Sequence, residues 1–168
     1  PYEIMKALDA GAYGVVVPMV NNREEAESAV AACRYPPQGN RSFGPLRASI
    51  YAGAGYAQEA NSELACIVMI ETEEALQNLD DIMSTPGVDG VYIGPADLAY
   101  ALGLVPTGDN NDPLHVETVT KIFETAKKHG IGAGIHTGSL EYSKRYLEQG
   151  FHMVTLGQDV GFMTRMAR

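Results

Sequence analysis

The stretch Ala65-Cys66-Ile67-Val68-Met69-Ile70-Glu71-Thr72-Glu73-Glu74 decides the architecture. Its six leading apolar residues are too few for a helix and suit a strand buried on both faces, the habit of a parallel sheet. Thr72 then caps a helix expected from Glu73 to about Ser84, and Pro86-Gly87 turns the chain. The same pattern recurs on either side. Upstream, residues 14–20 form a β-branched run, and Asn22 caps a helix over 23–33 with Glu25 placed to close a capping box. Before that, Ile4, Met5 and Leu8 recur at helical spacing and Gly11 ends their helix. Residues 34–47 carry too much Pro and Gly for regular structure, and a short helix over 51–60 follows. Downstream, residues 88–93, 131–135 and 153–157 supply three more strands. Asp112-Pro113 opens a helix that runs to His129 with Val116, Val119, Ile122, Phe123 and Ala126 on one face. Ser139 opens another ending at Gly150, and Asp159 caps a last one.

Five strand–helix units in succession imply a parallel α/β sheet with right-handed crossovers. An open doubly wound sheet would carry a glycine-rich phosphate turn after its first strand; Val17-Pro18-Met19-Val20-Asn21 is nothing of the kind. The alternative is a TIM (β/α)8 barrel, which needs eight units and about 250 residues. The expectation is therefore that residues 1–168 form a single partial barrel domain lacking its N-terminal units, which also fits a first residue that is Pro and not Met.

Composition narrows the function. A net charge of −9 over 168 residues argues against nucleic acid or an anionic membrane as the main partner. With 45% hydrophobic and 20% charged residues the chain is globular. Two cysteines make no disulfide framework, no His/Cys spacing reads as a zinc site, and the start lacks the features of a signal peptide, so a cytoplasmic location is expected.

Functional groups in such folds gather at the carboxyl ends of the strands. Glu71 follows one strand directly and Asp97 lies just beyond another, so both acids can point into one mouth. Two carboxylates that close need a cation between them, and an oxygen-only pair suits Mg²⁺ or Mn²⁺. Each acid could instead sit at a helix N-terminus, where its charge meets the dipole. For Glu71 the ligand reading leads, because Thr72 already caps; for Asp97 the two stand level. Gly94-Pro95-Ala96-Asp97 exposes backbone N–H groups able to hold a carboxylate, and is also an ordinary strand-to-helix turn. His136 is placed as a proton carrier or as a satisfied buried histidine. His115, His129 and His152 read as surface, and Met5, Met19, Met69 and Met83 as core filler. Asp9 lies in the last turn of its helix, against the dipole, and calls for a compensating contact.

Six motifs carry a resemblance: Val17-Pro18-Met19-Val20, Arg34-Tyr35-Pro36-Pro37-Gln38-Gly39-Asn40-Arg41, Ile70-Glu71-Thr72, Ile93-Gly94-Pro95-Ala96-Asp97-Leu98, Lys144-Arg145-Tyr146-Leu147 and Val154-Thr155-Leu156-Gly157. In this order and spacing the chain resembles the HpcH/HpaI aldolases, metal-dependent class II 2-oxo acid aldolases on a TIM barrel of the phosphoenolpyruvate/pyruvate superfamily. The resemblance implies that Glu71 and Asp97 ligate Mg²⁺ or Mn²⁺, and that Gly94, Ala96 and Asp97 hold the carboxylate of pyruvate or a similar acid. It implies that Asp9 raises the basicity of the catalytic histidine, through a contact between subunits of a homo-oligomer. The family's base histidine and its enolate-stabilising arginine precede the position of Pro1, so these 168 residues alone are expected to be inactive. Met69 stands where some members have glutamine. The expected chemistry is cleavage or formation of a C–C bond between a 2-oxo acid and an aldehyde. A citryl- or malyl-CoA-type lyase, a macrophomate-synthase-like decarboxylating enzyme and a non-catalytic assembly module are the alternatives.

Overall fold

A computed structural model describes residues 1–167. Five parallel strands, β1 (Gly14–Val17), β2 (Ala65–Ile70), β3 (Gly90–Ile93), β4 (Gly132–Thr137) and β5 (Met153–Leu156), pair in the order β1-β2-β3-β4-β5. Every strand lies beside its successor, without the reversal that creates the crevice of a doubly wound sheet. The sheet is thus an arc of a TIM-like barrel, open along β1 and β5.

Ten helices alternate with these strands among the described residues: α1 (Tyr2–Asp9), α2 (Arg23–Cys33), α3 (Leu46–Ala52), α4 (Tyr56–Glu63), α5 (Glu73–Gln77), α6 (Leu79–Met83), α7 (Pro95–Ala101), α8 (Pro113–His129), α9 (Leu140–Gln149) and α10 (Asp159–Met166). Alternation along the strands divides the sheet's two faces. Cys66, Val68 and Ile70 of β2, Val91 and Ile93 of β3, and Ala133 and Ile135 of β4 face the helices and join Leu8, Ile82, Leu98 and Ile122 in one core. Ile67, Met69, Tyr92, Gly134, His136 and Thr155 take the concave face between them, where the interior of a closed barrel would be.

The capping residues behave as their chemistry dictates. Thr72 accepts from the Ala75 N–H at 3.1 Å, Asn22 from Glu25 at 3.0 Å and Asp112 from Leu114 at 2.9 Å. The capping box closes one residue early, since Glu25 accepts from the Asn21 N–H at 2.7 Å. Asp159 does not cap α10; Gln158 holds that position and Asp159 accepts from Val160. Two expected helices are each divided. The chain breaks at Gly53 between α3 and α4, and at Asn78 between α5 and α6, where the Asn78 amide donates to the Asn21 carbonyl at 2.9 Å. The first strand stops at Val17, because Pro18 cannot donate to a ladder and Met19 takes φ 58°.

Candidate active site

The site is built where β2 and β3 end. Glu71 continues β2 by one residue and is only 5% exposed. Its Oε1 accepts the Met19 N–H at 2.9 Å. Met19 directs that N–H from the left-handed region at φ 58°, a conformation costing a non-glycine residue about 1–3 kcal/mol. The β1 end is fastened across the same gap, with the Thr72 hydroxyl donating to Asn21 Oδ1 at 2.5 Å. Met19 is 58% exposed, so it is no core filler: its backbone orients an acid and its side chain faces outward.

Asp97 approaches from the other side, in the first turn of α7. A Cβ placed on Gly94 would lie 2.7 Å from Glu71 Oε2, 2.9 Å from Met69 Cε and 3.6 Å from Asp97 Oδ2. Both acids therefore border the space over Gly94 that any side chain there would fill. Burial pushes the Glu71 carboxyl above the usual range, with the Met19 N–H opposing and the Asp97 charge adding to the rise. Among the described residues no Lys or Arg forms an ion pair with either acid, and Glu71 Oε2 takes no hydrogen bond.

These observations fit a hard divalent cation. Two carboxylate oxygens converge on one clear space, one acid is buried at an energetic cost, and no protein cation compensates. Among the described residues no group of three or more His, Cys, Asp or Glu could hold a metal. A two-carboxylate set leaves the other positions for water and substrate oxygens, as Mg²⁺ prefers.

Beside the pair opens a cavity of 280 Å³, lined on its polar side by Asp97, Tyr92, His136 and Gln158 and on its apolar side by Met69 and Pro95. Ala96 and Asp97 follow Pro95 in the first turn of α7 and border this cavity, their amides preceding the helix ladder. The turn is braced from behind by His115, whose Nε2 hydrogen-bonds the Pro95 carbonyl at 3.0 Å. His115 is fully buried, which corrects its reading as a surface residue. It stands four residues before Val119 and seven before Ile122, so it shares their apolar face; that spacing was the available signal.

Four predicted residues, Glu71, Gly94, Ala96 and Asp97, thus come together, and Asp9 does not join them. It closes α1, which feeds the opposite, N-terminal edge of the sheet. Its compensating contact is Arg41, whose Nη2 lies 2.6 Å from Asp9 Oδ1 while Nη1 donates to the Tyr56 hydroxyl at 3.1 Å. Arg41 also stacks over Tyr35 at 4.5 Å. His129 meets Asp80 on the surface at 2.7 Å. No helix among the described residues is long and apolar enough to cross a membrane.

Comparison with known proteins accords with this geometry. The HpcH/HpaI aldolase/citrate lyase family profile matches residues 2–165. The hydroxypyruvate/pyruvate aldolase of Rhizorhabdus wittichii is 44% identical over 168 residues, all of this chain and 67% of that protein. The 5-keto-4-deoxy-D-glucarate aldolase of Escherichia coli O157:H7 is 39% identical over 163 residues, 96% of this chain and 63% of that protein. A crystal structure of an HpcH/HpaI aldolase/citrate lyase family protein from Burkholderia cenocepacia J2315 superimposes with a TM-score of 0.89 at 32% identity, covering 100% of this chain and 67% of the other. The chain thus spans about two thirds of the length of these relatives. With that breadth of match, the chain is a member of the HpcH/HpaI aldolase/citrate lyase family, a family of carbon–carbon lyases.

Proposed function

We propose that these residues form the metal- and 2-oxo-acid-binding part of a class II aldolase, in which a C–C bond between a 2-oxo acid and an aldehyde is cleaved or formed. The observation that carries the reading is the clear space over Gly94, bordered by Glu71 Oε2 and Asp97 Oδ2. Mg²⁺ or Mn²⁺ held there by Glu71 and Asp97 would supply Lewis-acid polarisation of the 2-oxo group. The protein supplies the rest. Gly94 leaves room for the substrate's oxygens, and the first-turn amides of Ala96 and Asp97 take its carboxylate. His115 holds the carbonyl of Pro95, so that turn is fixed before substrate arrives. Met69 brings its terminal methyl to the edge of the same space over Gly94. The names of the relatives, which specify pyruvate-type and sugar-acid substrates, support a 2-oxo acid as one reactant. Among the described residues no Lys or Arg lines the cavity, which offers a coenzyme A tail no cationic hold from them.

The fold reading extends in the same way: three further βα units beside β1 would close an eight-stranded barrel. A hollow of 660 Å³ runs along that edge, between Val15–Pro18 and the start of α1. Because open strand edges template pairing, the 168 residues alone are expected to self-associate. The functional test is calorimetric titration with oxalate, a planar mimic of the enolised 2-oxo acid. Binding should require Mg²⁺ or Mn²⁺ and vanish in Glu71→Gln; oxalate binding without metal would overturn the assignment.

A further inference from the structure

The mechanism above leaves His136 unused, yet the structure holds it with care. Tyr92 pairs with Gly134 and Ile93 with Ile135, so His136 stands opposite Gly94 one step further along. Neighbouring strands run about 4.8 Å apart, which puts the imidazole on the cavity wall a single strand from the acids. His136 Nδ1 lies 2.9 Å from Thr155 Oγ1, and the same hydroxyl bonds Tyr92 OH. The arrangement is made by sterics as well as polarity. A Cβ on Gly134 would come 2.9 Å from Tyr92 Cδ2 and 3.1 Å from Met153 Cε, so only glycine lets the Tyr92 ring cross β4 to reach β5.

Among the described residues the Tyr92 hydroxyl meets no other acceptor, and a phenol is the stronger donor of the two hydroxyls. With Tyr92 donating to Thr155, the Thr155 hydrogen would turn to His136 Nδ1 and the ring's hydrogen would stand on Nε2. The cavity of 280 Å³ reaches from Asp97 in α7 to His136 in β4 and Gln158 beyond β5. There His136 is the half-buried donor, beside the exposed Gln158.

We propose that His136, held by the Tyr92–Thr155 chain, is a specificity-determining donor that places its Nε2–H against an oxygen substituent of the aldehyde partner, so that this site selects hydroxylated aldehydes over alkyl ones. The proposal rests on the acid pair anchoring the 2-oxo acid.

Two measurements on the chain test it. Imidazole ¹⁵N spectra should show His136 as the Nε2–H tautomer, and Thr155→Val should release it to a mixture; an Nδ1–H tautomer in the unsubstituted chain overturns the proposal. Second, with Mg²⁺, 4,5-dihydroxy-2-oxopentanoate should bind about fivefold tighter than 4-hydroxy-2-oxopentanoate, the effect of one hydrogen bond. The preference should disappear in His136→Phe and persist in part in His136→Gln, whose amide retains a donor. A preference that survives His136→Phe, or one that is absent from the unsubstituted chain, overturns the proposal alone. Absence of Mg²⁺-dependent oxalate binding overturns the acid-pair reading, and with it the ligand assignment.

Discussion

Gly94→Ala isolates the geometric argument for the metal site. At φ −88° an alanine meets no backbone objection, so the effect comes from the added methyl alone. That methyl would sit 2.7 Å from Glu71 Oε2 and 2.9 Å from Met69 Cε, both inside normal contact. Met69 ends in a flexible thioether and can swing aside. Glu71 cannot move as freely, because its other oxygen is fixed by the Met19 amide and the group is buried. The strain of overpacking, about 1–3 kcal/mol, is partly offset by the 0.4–1 kcal/mol that Gly→Ala removes from unfolded-state entropy. Stability should therefore fall by only about 1–2 kcal/mol. Metal ligation tolerates displacements of only about 0.2 Å, so Mg²⁺-dependent oxalate affinity should drop by about 100-fold. Calorimetry with oxalate and Mg²⁺, beside a urea denaturation curve, separates the two effects. Adding Met69→Ala should not restore affinity, since the contact that matters is with the carboxylate. Affinity within about threefold of the unsubstituted chain would mean that the space over Gly94 is not the metal's.

Other perturbations address other parts of the account. Glu71→Gln keeps the acceptor for Met19 and removes a buried charge; the raised Glu71 pKa means the folded state binds more protons above the ordinary carboxylate pKa, so stability declines as pH rises through that window. The variant should therefore melt higher than the unsubstituted chain at pH 7 without metal, and gain nothing from Mg²⁺, by differential scanning calorimetry. Burial depresses the His115 pKa, with the Pro95 carbonyl opposing, so the unfolded state takes up the proton first and stability is lost as pH falls below about 6.5. His115→Gln should flatten that acid limb in thermal melts. Arg41→Ala leaves the Asp9 carboxylate, 28% exposed, without its partner and empties a fully buried site. It should cost about 3 kcal/mol in urea denaturation and leave oxalate affinity within about twofold, because the pair sits at the other edge of the sheet.

The alternation that sets the fold was legible because apolar runs such as Cys66-Ile67-Val68, too short for a helix and bounded by turns, suit a parallel strand, whose helix-facing residues Cys66 and Val68 are fully buried. Glu71 and Asp97 were legible for a related reason: they stand at strand ends, where topology collects chemistry. What pattern alone could not convey were partners distant along the chain. The Met19 amide reaches Glu71 across 52 residues, and nothing local marks Met19 for a left-handed conformation. The brace on Pro95 comes from His115, whose helical spacing did hold the clue once Thr118, Val119 and Ile122 are seen as one buried face. The break at Gly53 was foreshadowed by Gly53 and Gly55, which weaken a helix there, whereas the one at Asn78 was hidden because propensity is a weak guide where tertiary hydrogen bonds, such as Asn78 to Asn21, compete. Asp9 read as an acid in need of a partner, and the partner lay within the Pro-rich segment 34–47, in Arg41.

Whether Glu71 and Asp97 share one divalent ion is decided by anomalous diffraction from Mn²⁺-soaked crystals. A single manganese peak should appear over Gly94, with one oxygen of each acid about 2.1–2.2 Å away and solvent in the remaining positions. No peak at that place under saturating Mn²⁺, or a peak bound by only one of the two carboxylates, would contradict the shared site.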